Sequence, residues 1–268
     1  VADNAEVVLC RTDGRVRVII LNRPRVRNAL NSEMMRRFHQ AVDDAVADPD
    51  VGAIVVTGNG SAFSSGADLK EAGTSPRPED LWGRYSQAID NDRIYERLSR
   101  VPKPVIAAVN GFAVGGGCAL AVSCDVVIAA DTARFSYPET NHGIAAVTVA
   151  VGLSRAVGRL QALDLLLSGR FVEAAEAHAM GMVTRIVPAA DLMTEAVGYA
   201  QALAEKSPAA IRLTKRVFRA VQELDFDHAF EYARDVSLMT REGMSGGRGA
   251  AGSPAGPGNG AVAARPTQ

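Results

Sequence analysis

Pro102-Lys103-Pro104-Val105-Ile106-Ala107-Ala108-Val109-Asn110-Gly111-Phe112-Ala113-Val114-Gly115-Gly116-Gly117-Cys118 decides the fold. Val105–Val109 is an unbroken apolar run between a proline and an Asn-Gly pair. A run of that length without alternation reads as a strand buried on both faces. Asn-Gly is a turn signal. Gly115–Gly117 then opens a helix that continues through Cys118–Val122. The stretch Pro104–Cys124 carries no charge and approaches membrane-spanning length. It holds Asn110, Ser123 and four glycines, which suit a lipid-facing helix poorly. A buried strand, a glycine turn and a buried helix fit it better.

Working outward, Val16–Leu21, Ala53–Thr57 and Val126–Ala130 read as further strands. A helix between them can be capped by Asn31 or Ser32, with Met35, Phe38, Val42 and Val46 at helical spacing. Pro78–Arg100 reads as another, with Leu81, Tyr85, Ile89, Tyr95 and Leu98 near one face. Strands alternating with helices predict an α/β fold with crossover connections. From Thr148 the pattern turns helical. Gly158–Leu167 stops at Ser168-Gly169, and Asp191–Lys206, Ala209–Leu224 and Phe226–Thr240 follow. The expected organisation is a core over 1–190, a helical region over 191–242 and a tail over 243–268. That tail has eight glycines in 26 residues and almost no large apolar side chain, so it is expected to be disordered.

The 268 residues carry 29 Lys plus Arg against 30 Asp plus Glu, a balance without the footprint of a nucleic-acid or anionic-membrane binder. A hydrophobic content of 47% is ample for a buried core. Three cysteines make no disulfide framework and suit a reducing cytosol. No basic segment followed by an apolar one opens the chain, so no signal peptide and a cytoplasmic location are expected.

Several motifs fail on inspection. Val55–Gly60 runs into glycines as a dinucleotide turn would, but Phe63 stands where the third glycine belongs. There is no nucleophile elbow around Ser64 or Ser65. His39, His142, His178 and His228 are scattered, and no metal site is expected.

Two glycine turns and one carboxylate remain. The first turn is Ser64-Ser65-Gly66-Ala67-Asp68-Leu69, shortly after the Ala53–Thr57 strand; the second contains Gly115–Gly117. Glycines let backbone approach a ligand closely, and the first N–H groups of a helix lack intrahelical partners. A carbonyl oxygen gaining negative charge suits such a place, with a second N–H from Gly66-Ala67 completing a two-donor hole. The same glycines would also serve tight helix–strand packing alone. The carboxylate is Glu139, in Phe135-Ser136-Tyr137-Pro138-Glu139.

Here the chain resembles the crotonase, or enoyl-CoA hydratase/isomerase, superfamily over roughly residues 5–242. The resemblance rests on Leu21-Asn22-Arg23-Pro24 with Asn28-Ala29-Leu30, on Phe63–Leu69, on Pro102–Gly111, on Gly115–Cys118 and on Phe135–Glu139, in family order and spacing. It implies a crotonase-like spiral of ββα units followed by a C-terminal helical trimerisation region, with trimers often paired into hexamers. It implies an acyl-CoA thioester as ligand, coenzyme A being the carrier part of the substrate, and no separate cofactor. The two oxyanion donors fall on the backbone N–H groups of Ala67 and Gly116. Ser65, Gly66, Asp68, Leu69 and Gly115 belong to the same binding turns. Arg23, Arg25 and Arg27 fall where the family meets CoA phosphates; for Arg25 and Arg27 a solvated surface charge is the alternative.

One departure stands out. Family hydratases use two glutamates, one directly after Gly-Gly-Gly-Cys and one in the Pro-Glu step. The second is Glu139 here, but the first position is Ala119. Hydration needs a positioned, activated water and a proton for C2; moving a double bond needs one base between C2 and C4. One glutamate therefore favours isomerisation over efficient hydration. Dienoyl isomerases of the family add an aspartate where this chain has Val147. His142 is a candidate acid or base, or else a hydrogen-bonded wall residue. Tyr137 and Asn141 are further polar candidates. Asp68 reads better as tying its own loop, and Trp82 and Tyr85 as either bounding the acyl pocket or packing the core. A specialised lyase using the same oxyanion hole, and a catalytically silent acyl-CoA-binding subunit, are the alternative functions.

Overall fold

The structure, a computed structural model, describes residues 6–74 and 79–245. Its strands in chain order are β1 (Val8–Asp13), β2 (Val16–Leu21), β3 (Ala53–Gly58), β4 (Ala62–Ser64), β5 (Val105–Val109), β6 (Phe112–Val114), β7 (Val126–Ala130), β8 (Arg134–Ser136), β9 (Val172–Glu173) and β10 (Arg185–Val187). Its helices are α1 (Ser32–Ala47), α2 (Leu69–Thr74), α3 (Leu81–Arg100), α4 (Gly116–Val122), α5 (Val149–Ala156), α6 (Arg159–Ser168), α7 (Ala174–Ala179), α8 (Leu192–Ala204), α9 (Pro208–Val221) and α10 (Phe226–Ser245). Val1–Arg216 and Val217–Gln268 form two compact units.

In the first unit the long strands make one sheet, ordered β1-β2-β3-β5-β7-β10. All its pairings are parallel except β1 with β2. A second sheet of short strands is ordered β4-β6-β8-β9. Each of β3, β5 and β7 leaves the first sheet and, within three residues, enters the second as β4, β6 or β8. This stepping of strand pairs, with α4 after β6, is a spiral of ββα units. Ile54, Val55 and Val56 of β3 are all fully buried, so both faces of the long sheet are covered. Helix α8 packs across β3 and β5 with Leu192, Ala196, Val197 and Ala200 buried. The core unit thus extends past residue 190 and includes α8.

The sequence places α1 well: Asn31 is its cap and accepts from the Met34 N–H at 2.9 Å. Its buried stripe is Met34, Phe38, Ala41, Val42 and Ala45 rather than one through Met35 and Val46, because alanines share the core face. In α3 the Asp80 carboxylate accepts from the Gly83 N–H at 2.7 Å. Among its described side chains Ile94 and Leu98 are buried, while Leu81, Trp82 and Tyr85 face solvent. Pro78 and the Ile89 side chain lie outside the described residues.

In the second unit, α10 continues past the expected Thr240 to Ser245, taking in the first residues assigned to the tail; 246–268 lie outside the described residues. Phe226 and Phe230 stack at 4.9 Å, and both are exposed, as are Phe218, Leu238 and Met239. No helix among the described residues is long and apolar enough to cross a membrane.

Candidate active site

The spiral carries the ends of β4 and β6 to one place. Asn28 is the first reason. It is fully buried with φ 57°, and its side chain accepts from Arg23 N–H at 2.8 Å. It also donates to the carbonyls of Asn59 and Ala62 at 2.9 and 2.7 Å. The turn after β4 is clamped against this segment. Ser65 N–H donates to Arg27 O at 2.9 Å, Leu30 N–H to Gly66 O at 2.8 Å and Asp68 N–H to Leu30 O at 3.1 Å. Gly66 N–H is taken by Ser64 Oγ at 3.2 Å. Of four consecutive N–H groups, that of Ala67 is the one without an acceptor among the described residues.

The second turn offers a matching donor. Gly115 N–H donates to Ser136 O at 2.8 Å, and Gly116 N–H, the first of α4, has no acceptor among the described residues. Gly66 has φ 82°, and a Cβ on it would come within 3.0 Å of Gly116 N. The two turns therefore touch, and glycine is required at Gly66 both by its backbone conformation and by the neighbouring chain.

Glu139 completes the arrangement. The Gly115–Ser136 bond ties the start of α4 to the end of β8, three residues before Glu139. Thr140 Oγ1 donates to the Leu166 and Leu167 carbonyls at 3.2 Å, fixing the 3-10 turn that carries Glu139. A Cβ on Gly115 would lie 2.8 Å from Glu139 Oε1, so the carboxylate sits directly over the glycine turn. Glu139 Oε2 is buried with no hydrogen-bond partner. Burial pushes this carboxyl above the usual carboxylate range; its own N–H and His142 pull it back in part.

These groups line one cavity of about 540 Å³. Ser65, Gly66, Ala67, Asp68, Leu69, Gly115, Gly116, Glu139 and His142 are all on its wall. Apolar walls come from Leu30, Met35 and the Ile144–Val149 segment. Three of the lining side chains are carboxylates. Asp68 is ion-paired to Arg23 at 2.9 Å and accepts from the Lys70 and Glu71 N–H groups. Burial alone would raise its pKa, but Arg23 and the Glu71 N–H hold it below the ordinary value. Glu71 accepts from the Ser32 N–H and hydroxyl at 2.8 and 3.2 Å. Glu139 Oε2 has no such partner among the described residues.

The structure does not bring the arginines to the cavity wall. Arg23 is spent on Asp68 and on the Ala29 carbonyl at 2.6 Å. Arg25 and Arg27 stand on an exposed 3-10 turn, Arg27 with its guanidinium 5.6 Å from the Phe112 ring. Trp82 and Tyr85, 73% and 56% exposed, stack on each other outside the cavity. Tyr137 is fully buried beneath the site rather than in it. Asn141 turns toward Gly169. Ala119 is 2% exposed on α4 and presents no polar group. The sequence reading missed Tyr95 as a site residue: it lines the cavity from α3, and nothing in its helical spacing separates it from its packing neighbours.

Two sheets in a ββα spiral, with Glu139 and two backbone N–H groups that have no acceptor among the described residues on one cavity wall, define a crotonase-fold acyl-CoA enzyme. The sequence profile of the enoyl-CoA hydratase/isomerase family matches residues 11–242, and the chain belongs to that family. A probable enoyl-CoA hydratase of Mycobacterium tuberculosis is 41% identical over 248 residues, covering 91% of this chain and 94% of its own. The crystal structure of an enoyl-CoA hydratase of Mycobacterium smegmatis aligns with TM-score 0.80 at 33% identity, over 87% of this chain and 90% of that one. A monofunctional enoyl-CoA isomerase of the same organism aligns with TM-score 0.70 at 33% identity, over 84% and 98%.

Proposed function

We propose that this enzyme moves the double bond of an enoyl-CoA from C3 to C2, with Glu139 as the single acid/base and hydration as a slow side reaction. The observation that carries this reading is the carboxylate inventory of the cavity. Asp68 and Glu71 accept hydrogen bonds from local partners, Ala119 supplies nothing, and of the three carboxylates Glu139 is the one with a buried oxygen that has no hydrogen-bond partner among the described residues.

The steps balance as a proton relay. The thioester carbonyl oxygen sits between Ala67 N–H and Gly116 N–H. Glu139 takes the C2 proton of a 3-enoyl-CoA, and the electron pair spreads to C4 and to the thioester oxygen as a dienolate. The two N–H groups stabilise that charge, where each such donor contributes about 10²–10³ in rate. Glu139 then returns the proton at C4, leaving C2 and C3 doubly bonded. Nothing is oxidised or reduced, and coenzyme A serves as carrier only. A raised carboxyl pKa makes Glu139 both a competent base and, once protonated, a competent acid.

The apolar Ile144–Val149 wall suits an acyl chain. The exposed apolar side chains Phe226, Phe230, Leu238 and Met239 support assembly into a homotrimer or homohexamer, and light scattering of the purified chain tests it. A cytoplasmic location accords with the free cysteines.

The experiment is paired. A 3-enoyl-CoA and a 2-enoyl-CoA are supplied separately, and products are followed by absorbance and mass. Double-bond migration outpacing water addition supports the reading; rapid water addition replaces it with hydration in which His142, beside Glu139, shares the water.

A further inference from the structure

We propose that the Tyr95 hydroxyl is a third donor at the oxyanion site, delivered by α3 to the oxygen that the Ala67 and Gly116 N–H groups face. The inference rests on the enolate chemistry proposed above and adds a side chain to it.

The geometry comes from one glycine. Gly116 is the first residue of α4 and has no positive φ that would call for glycine. The nearest atom a side chain there would meet belongs to Tyr95: a Cβ on Gly116 would overlap the Tyr95 hydroxyl oxygen. That same Cβ would stand 3.7 Å from the Ala67 nitrogen. One position thus borders all three groups: the phenol oxygen, the Ala67 nitrogen and the backbone of Gly116. All three residues line the same cavity.

The tyrosine's own packing points the same way. Its ring is partly buried against the hydrophobic core, next to the fully buried Ile94. Its hydroxyl projects to the edge of the glycine turn at Gly116. A phenol O–H can donate there. Its hydrogen bond strengthens as charge moves onto the thioester oxygen, so it contributes more to the enolate than to the bound substrate. A donor of this kind also offers a physical reason why one carboxylate can suffice: the more the enolate is stabilised, the weaker the base that can form it.

The test is Tyr95→Phe, which removes one oxygen and leaves the ring. Two probes are used: acetoacetyl-CoA, whose bound enolate absorbs in the near ultraviolet, and butyryl-CoA, which forms none. If wild-type protein binds acetoacetyl-CoA without enolate absorbance and turns over no enoyl-CoA, the enolate reading itself fails, and the proposal with it. If wild type shows the enolate, Tyr95→Phe is expected to lower the enolate fraction and kcat together by about 10- to 100-fold, the range for a hydrogen bond to a charged group. Butyryl-CoA affinity and the melting temperature should hold. Unchanged enolate fraction and kcat overturn the proposal, as does an equal loss of butyryl-CoA binding, which marks a packing role. Should the phenylalanine variant not fold, a ring-fluorinated tyrosine at position 95, studied below its own pKa, keeps the shape and strengthens the donor. A raised enolate fraction then supports the proposal and an unchanged one overturns it.

Discussion

Glu139→Gln keeps the size of the side chain and removes the proton-carrying group. Positioned acid–base catalysis contributes about 10²–10⁴-fold. Here the loss belongs at the upper end, because no other cavity carboxylate can step in. Asp68 is held by Arg23, Glu71 by the Ser32 N–H and hydroxyl, and position 119 is alanine. A fall of about 10³–10⁴ in kcat corresponds to about 4–5.4 kcal/mol of lost transition-state stabilisation. Stability should move the other way. Burial raises the folded carboxyl above its unfolded pKa, so folding penalises the charged form. That penalty is absent below the unfolded value of about 4.3. It grows as pH rises through the interval up to the folded value and persists above it. Glutamine carries no such penalty. The variant is therefore expected to melt no lower than wild type at neutral pH, with the difference shrinking as the buffer is made acidic. In wild type, kcat should fall with acidification through the raised pKa as the base is protonated. The assay is 3-enoyl-CoA isomerisation across pH, beside thermal melts in the same buffers. Retention of more than a tenth of wild-type kcat by Glu139→Gln would refute the single-carboxylate argument, since some other group would then be moving the proton.

Three further outcomes follow from the same geometry. Ala119→Glu restores a second carboxylate next to Gly115–Cys118; hydration of a 2-enoyl-CoA should rise at least about tenfold, at a cost of about 1–3 kcal/mol for placing a polar group at a buried position, read from product ratios and urea melts. Gly115→Ala forces a side chain into φ 53° and to within 2.8 Å of Glu139 Oε1; strain of about 1–3 kcal/mol and a fall in kcat well beyond any change in acyl-CoA affinity are expected. Lys215→Ala strips the partner from Asp125, whose carboxyl burial already raises and Lys215 restrains; with both groups partly exposed the loss should be about 1–3 kcal/mol, larger at neutral than at acidic pH because only the charged carboxylate needs the lysine.

The legible parts of the fold were those with a long enough pattern. Val105–Val109 and Ala53–Thr57 announce themselves as buried strands, and both are central in the long sheet. The short strands β4, β6, β8 and β9 span two or three residues, too few for any periodicity to register. The family resemblance implied paired strands in a ββα spiral without placing these four. Val8–Asp13 escaped because an edge strand, mostly exposed, shows Arg11, Thr12 and Asp13 rather than an apolar run. The α1 stripe shifted by one residue because Ala41 and Ala45 bury as fully as larger side chains do but attract less notice. At the site, glycine spacing marked the two turns but left tight packing as an alternative, and the family resemblance picked out Ala67 and Gly116 as the donors. The fate of Arg23 was not readable: only three dimensions show that Asp68, 45 residues away, claims it. Tyr95 was equally hidden: only three dimensions bring its hydroxyl beside Gly116.

The most direct test of the account follows one hydrogen. A 3-enoyl-CoA carrying deuterium at C2 is converted in ordinary water, and the product is analysed for deuterium at C4. A single carboxylate, half-buried and carrying the proton between the two carbons, predicts that a measurable share of the label reappears at C4 with no water added to the product. Complete loss of label to solvent, together with a product heavier by one water, would contradict it and place a second, solvent-exchanging group in the chemistry.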